Sequence, residues 1–153
     1  MAQNLSSPHY VYILRCSDQS FYVAVCEDFH HCLALHNQGI GSHYTCHRLP
    51  VSLAMVEGPF SLKEAVKREN QLKSWSQQKK IRHIERNERV CRQLRQQILA
   101  FGEAVAAVGG PPDPNAIYSA QELRCMLSFI RFDVEADLAC ARHRAPIGAS
   151  RRR

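Results

Sequence analysis

No apolar run in this chain is long enough to cross a bilayer, so a membrane-spanning role is not expected. The opening residues MAQNLSSPHY lack both an Arg/Lys cluster and an apolar stretch. No secretory signal is therefore expected, and the expected compartment is the cytoplasm. There is no Cys-x-x-Cys pair, and the seven cysteines are an odd number. A complete disulfide framework fits that count poorly, and thiols in a reducing compartment stay reduced. There is also no internal repeat.

What is present is a chain of 153 residues, enough for one ordinary domain with a real core and an appendage. Its net charge of +6 is unevenly spread. Residues 1–59 hold two basic and four acidic residues, 60–100 hold eleven and four, and 101–153 hold seven and six. The middle segment therefore carries the positive charge. Phosphate binding requires charge placed this way, and so does a merely solvated helix face.

His9–Cys16 and Phe21–Cys26 are rich in β-branched and aromatic residues and predict two strands of a hairpin. The turn between them, Ser17–Ser20, lacks the glycine that a tight primed turn prefers. Asp28 is placed to cap a helix reaching about Asn37, with Phe29, Cys32, Leu33 and His36 on one side and Gly39 as its stop. Gly39–His47 predicts a loop. Val51–Glu57 predicts a third strand, entered through Pro50.

Ser61 and Glu64 form a capping box for a helix to about Trp75, with Leu62, Ala65, Val66 and Leu72 offered to the core. Ser76 is placed to cap a further helix continuing to about Ala107. The segment Gly109-Gly-Pro-Pro-Asp-Pro114 cannot continue a helix. Ser119 and Glu122 form another capping box, for a helix ending near Ile130. Asp133 is placed to cap a last helix ending near Arg142. The expected fold is α/β, a small three-stranded antiparallel sheet flanked by helices, in the order β-β-α-β-α, with a helical extension. The expected divisions are 8–85 for the core domain, 86–108 for a basic helix continuing from it and 109–118 for a linker. A helical extension at 119–143 and a disordered basic tail at 144–153 complete them.

In order along the chain stand Tyr10-Val-Tyr-Ile-Leu14, Tyr22-Val-Ala24, Leu33-Ala-Leu-His-Asn37, Gly39-Ile-Gly41, Tyr44-Thr45 and Arg48-Leu-Pro-Val51. Ala65-Val-Lys-Arg-Glu69-Asn-Gln-Leu-Lys73 and Lys79-Lys80 follow. This series resembles the small, stand-alone, bacterial-type branch of the GIY-YIG endonuclease superfamily, with a degenerate active site. The resemblance covers about residues 8–85. It implies a metal-dependent nuclease that hydrolyses DNA or RNA phosphodiesters, with a divalent ion, usually Mg²⁺, on a helix glutamate. Tyr12, Tyr22, His36 and Glu69 match the family's site positions. Glu69 is then the metal ligand, and the other three activate water and position the scissile group.

The family's arginine does not match. It lies four residues before the helix histidine, where this chain has Cys32, which carries no fixed charge and no donor fork. The glycine of the second motif is Ala24. His31, His43 and Cys46 stand where the family is often basic. Cys32, Cys46 and His31 can each arise from a CGN arginine codon by one transition.

Taken singly, these residues also have plainer readings. Tyr12 and Tyr22 suit cross-strand packing, His36 suits a helix C-terminus, Glu69 suits a surface ion pair with Lys73, and Cys32 suits a partly buried apolar position. Cys26, His30, His31, Cys32, His36, His43, Cys46 and His47 are eight borderline or soft ligands, but their spacing matches no zinc ribbon or finger, so zinc is not expected.

Lys79, Arg82, Arg86, Arg89, Arg92 and Arg95 predict a basic stripe. With Arg48, Lys73 and Lys80 it gives the expected nucleic-acid-binding set. Three functions follow as alternatives. They are a weak or inactive metal-dependent phosphodiesterase, a non-catalytic nucleic-acid binder, and a protein-interaction module using the C-terminal helices.

Overall fold

The computed structural model describes residues 7–101 and 116–143, and within the last helix it describes side chains as far as Arg131. Strands β1 (His9–Arg15), β2 (Phe21–Cys26) and β3 (Ser52–Phe60) form one antiparallel sheet in the order β2-β1-β3. Helix α1 (Phe29–Asn37) and the short α2 (His43–Cys46) lie between β2 and β3. Helices α3 (Leu62–Lys73), α4 (Gln77–Leu99) and α5 (Ala120–His143) follow. The α/β class and the β-β-α-β-α order are as the sequence predicts.

Alternation along β1 sorts the core into two layers. Val11 and Ile13 join Val23 and Met55 on one face, under Ala65 and Leu72 of α3 and Ile84 of α4. Tyr12 and Leu14 point the other way, toward Phe29 of α1, Val51 and Val56. Both faces of the sheet are thus covered, and a fully buried Ile13 or Leu14 contributes about 2 kcal/mol. The hairpin turn solves its lack of glycine with Gln19, whose φ of 65° is left-handed. The carboxylate of Asp18 steadies that turn by accepting from the Ser20 amide at 3.0 Å.

The helix caps form where the sequence places them. Asp28 accepts from the His31 amide, and Ser61 and Glu64 satisfy each other's backbone in a complete capping box. Gly39, at φ 81°, ends the first helix. Asn37 then bonds both the amide and the carbonyl of Val51, which pins the end of α1 to the entrance of β3.

Several expectations need correction. The segment predicted as a loop contains α2, because Ser42 caps it by accepting from the Thr45 amide. Strand β3 runs to Phe60, and its pairing with β1 shifts register between His9 and Val11, opposite Gly58. Leu62 and Val66 are exposed and lie outside the core, on the side of α3 turned from the sheet. Helix α4 ends at Leu99 rather than Ala107. The residues from 120 to 143 form one helix with no break at Asp133. A single potential cap does not interrupt a helix whose backbone bonds already run through it. The proposed linker up to residue 115 and the basic tail lie outside the described residues.

Helix α5 does not stand apart. Leu123, Leu127 and Ile130 pack on Leu94 and Ile98 of α4 in a third apolar cluster. Ser119 donates to the Gly58 carbonyl at 2.6 Å, and Tyr10 donates to Glu122 at 2.9 Å. Both bonds tie the start of α5 to the sheet.

Candidate active site

The centre of the site is a buried polar chain running from β1 to α2. Tyr12 on β1 meets Nε2 of His36 on α1 at 3.1 Å, and Nδ1 of His36 meets Thr45 Oγ1 at 2.7 Å. The Thr45 hydroxyl reaches the Ser42 carbonyl at 3.3 Å. When Thr45 donates to Ser42 it accepts from Nδ1–H, and Nε2 then accepts from the Tyr12 hydroxyl. The reverse tautomer, with Thr45 donating to Nδ1 and Nε2–H donating to Tyr12, meets the same distances. Tyr12, His36 and Thr45 are all buried.

Burial sets the protonation of this chain. It lowers the His36 pKa below its usual value, so the imidazole is neutral at neutral pH. Burial first, and the nearby Cys32 and Cys26 second, push the Tyr12 phenol well above its ordinary value. Tyr12 therefore keeps its proton unless a partner takes it, and the partner in reach is His36.

Tyr22 on β2 packs edge-on against the same imidazole, with centroids 5.1 Å apart, and stacks on Tyr44 of α2 at 5.9 Å. Tyr22 and Tyr44 form one wall of a cleft of about 280 Å³, and Lys73 of α3 and Lys80 of α4 form the other. Glu69 sits one helical turn before Lys73, and its Oε1 accepts from Lys73 Nζ at 2.7 Å. The other carboxylate oxygen has no hydrogen-bond partner among the described residues. Lys73 is therefore a paired cation, whereas Lys80 has no ion pair among the described residues.

Cys32, at the arginine position, is half-buried beside Tyr12 and Cys26. Ala24 faces Tyr12 across the β1–β2 ladder. Arg48 is engaged by its own chain at the surface. It pairs with Asp18 at 2.9 Å, donates to the Tyr44 carbonyl at 2.7 Å and lies 4.0 Å over the Tyr44 ring. Its visible role is to hold Tyr44 in place.

Lys79, Arg82 and Arg86 share one face of α4, while Arg89 is exposed outside both the cleft and the surface lined by those three. Arg95 leaves the predicted stripe, because it donates to the Ala116 carbonyl and lies over Tyr118. Among the described residues no three His, Cys, Asp or Glu side chains converge on a common metal position.

Two residues with no role assigned from sequence complete the site. Thr45 orients His36. Gly41 is the floor beneath it, since a Cβ there would meet His36 Nδ1 at 2.4 Å. Both belong to the Gly-Ile-Gly and Tyr-Thr pieces of the resemblance, which were the available signal.

Comparison with known proteins agrees in extent with this geometry. A family model described as the GIY-YIG catalytic domain matches residues 8–82. UPF0213 proteins of Staphylococcus aureus strains Mu50, MW2 and COL are each 42% identical to this chain over 76 residues, which is 50% of this chain and 93% of each relative. So little of each relative remains that α5 has no counterpart there. No solved structure matches.

Proposed function

We infer the function from one premise: the chain belongs to the GIY-YIG family. From it we propose a slow, metal-dependent phosphodiesterase acting on nucleic acid in the cytoplasm. The observation that carries this reading is the Tyr12–His36–Thr45 chain behind a cleft walled by Tyr22, Tyr44, Lys73 and Lys80. A neutral imidazole held against a phenol is a proton acceptor ready for use. A proton released by an attacking water passes to this pair, and the phenol proton moves to Nε2 of His36. Tyr22 and Tyr44 hold the scissile group against the wall, and Lys80 offsets the charge that develops on it.

Glu69 fits a magnesium ion. It offers one carboxylate oxygen with no hydrogen-bond partner among the described residues, and this ion takes one or two carboxylates and fills its shell with waters and substrate oxygens. Bound there, magnesium would polarise a phosphoryl oxygen and acidify a water.

Turnover is slow in this reading because Cys32 offers no donor fork. Losing one preorganised charge-stabilising donor costs about 10²–10³ in rate. The protein-partner alternative has less behind it, because among the described side chains of α5 Leu123, Leu127 and Ile130 are turned onto α4 and Phe129 is the large apolar residue left exposed.

The test is initial cleavage rate on flap, branched, single-stranded and duplex substrates in Mg²⁺ and Mn²⁺. Parent cleavage should be weak and abolished by Glu69→Ala. Cys32→Arg with Ala24→Gly should raise it, and Lys80→Ala should lower it. No cleavage by the parent or by the repaired variant, with folding intact by circular dichroism, would refute the proposal.

A further inference from the structure

Two cavities, of about 270 Å³ and about 220 Å³, open along α4, and the larger is also lined by β3, the sheet edge opposite the cleft strand β2. Both are lined by His83 and Arg86, so they form one continuous groove. One end carries Trp75, Lys79 and Arg82, and the other reaches Arg124 of α5. Lys79, Arg82, Arg86 and Arg124 are exposed, and none makes an ion pair among the described residues. The acids of α4, Glu85 and Glu88, line neither cavity.

The carboxylate that does line the groove, Glu57, is already engaged. Arg68 donates to it at 2.6 and 3.0 Å, and His83 meets it at 2.6 Å. The indole of Trp75 is likewise occupied. Lys79 lies 4.3 Å over its ring and Arg68 lies 5.2 Å over it. The groove therefore presents cations without competing acids and without a free aromatic face. Such a surface suits the phosphate backbone and does not read bases. Guanidinium groups bind phosphate in bidentate fashion.

Lys79 to Arg86 spans about 10 Å of helix, which calls for an extended polyanion rather than one anion. Lys80 lines the cleft while its neighbour Lys79 lines the groove, so the two sites meet across the first turn of α4.

We propose that this groove holds the phosphate backbone of a single nucleic-acid strand extending from the cleft, and that α5 supplies part of that contact through Arg124. The inference rests on the proposed phosphodiesterase reading for its ligand, and it assigns α5 a function that the small relatives cannot have. Ser119 and Glu122 hold the start of α5 to the sheet, and so fix Arg124 at the groove.

The experiment is fluorescence anisotropy of the full chain with a labelled single-stranded oligonucleotide, in EDTA, across a salt series. Replacing Arg86 and Arg124 with Ala should weaken binding and reduce the slope of log K against log salt by about 1.4, or about 0.7 per lost contact. Arg124→Ala alone should give about half of that reduction. The pair Lys63→Ala and Lys67→Ala removes the same charge from exposed positions of α3 and should leave the slope unchanged. Arg86→Lys with Arg124→Lys should retain it, which separates lost charge from lost fold. An unchanged slope in the Arg86/Arg124 alanine pair, or an equal fall in the α3 pair, overturns the groove. A parent that binds through the groove yet never cleaves overturns only the proposed activity, whereas an active parent indifferent to the groove pair overturns only the groove.

Discussion

Gly41→Ala should dislodge His36. The added methyl would lie 2.4 Å from Nδ1, 2.5 Å from Cγ and 2.7 Å from Cα of that residue. Favourable carbon contacts begin near about 3.5 Å, so the ring must retreat by about an ångström. Retreat breaks its bonds to Thr45 and Tyr12. Two such bonds contribute about 1 kcal/mol each. Overpacking adds about 1–3 kcal/mol. The expected loss is therefore about 3–5 kcal/mol, and the thermal midpoint should fall by about 10 °C. Chemical denaturation of parent, Gly41→Ala, His36→Ala and the double variant completes the assay. Removing the imidazole relieves the two ring clashes but leaves the one at Cα. The Gly41→Ala penalty should then shrink by about 1–3 kcal/mol without vanishing. An equal penalty in both backgrounds, or none in the parent, would refute the claim that Gly41 sets the position of His36.

Glu57 offers a test by acid. Burial would raise its pKa, but hydrogen bonds from His83 and then Arg68 outweigh burial and hold it at about 2, against an ordinary 4.5. The stability this contributes is complete above pH 4.5 and is lost as pH falls toward 2. Glu57→Gln should remove about 3 kcal/mol at neutral pH and flatten the acid limb of a denaturation series, and an unchanged limb would count against the ion-pair account. His36 has the opposite sense. Its depressed pKa means that the unfolded chain binds a proton the folded chain refuses, so stability is complete above pH 6.5 and falls below it. Its ring resonances should titrate with a midpoint below 6.5, and a midpoint at or above that value would contradict the buried neutral assignment. Ser119→Ala removes the bond to Gly58 and a cap on α5, which should cost about 1–2 kcal/mol. Amide exchange at the start of α5 should quicken, and unchanged exchange would leave the apolar cluster alone as its anchor.

Much of this fold was legible because its signals are local. Asp28, Ser61, Ser76 and Ser119 announce helix starts through their own side chains, and the alternation of β1 announces a strand. Ser42 announces a start too, but its helix is one turn long and has too little periodicity to notice. The end of α4 at Leu99 and the unbroken run of α5 through Asp133 differ from the expectation, and the packing of Leu123, Leu127 and Ile130 on Leu94 and Ile98 joins segments that no short window contains. At the site, Tyr12, Tyr22, His36 and Glu69 came from a resemblance, while the pairing of His36 with Thr45 spans nine residues and depends on how α1 turns back into α2. The diversion of Arg48 to Tyr44 and of Arg95 to Ala116 is likewise tertiary. A stripe drawn by helical spacing has no means of knowing which of its members is claimed by a carbonyl.

The polar chain at the centre of the molecule is also part of its core. Tyr12 packs with Leu14, Phe29 and Val56 while it is hydrogen-bonded to His36. Replacement of Tyr12, His36, Thr45 or Gly41 is therefore resisted by folding itself, whether or not the protein ever cuts a phosphodiester. Position 32 is half-buried against the same cluster and takes no part in the hydrogen bonds between Tyr12, His36 and Thr45, so folding constrains it less than it constrains them. Mutational drift in such a molecule is directional: position 32 changes more readily than the hydrogen-bonded residues behind it, which are held as architecture. On the reading proposed above, a lineage carrying this arrangement keeps a scaffold from which a guanidinium at position 32 is one codon change away.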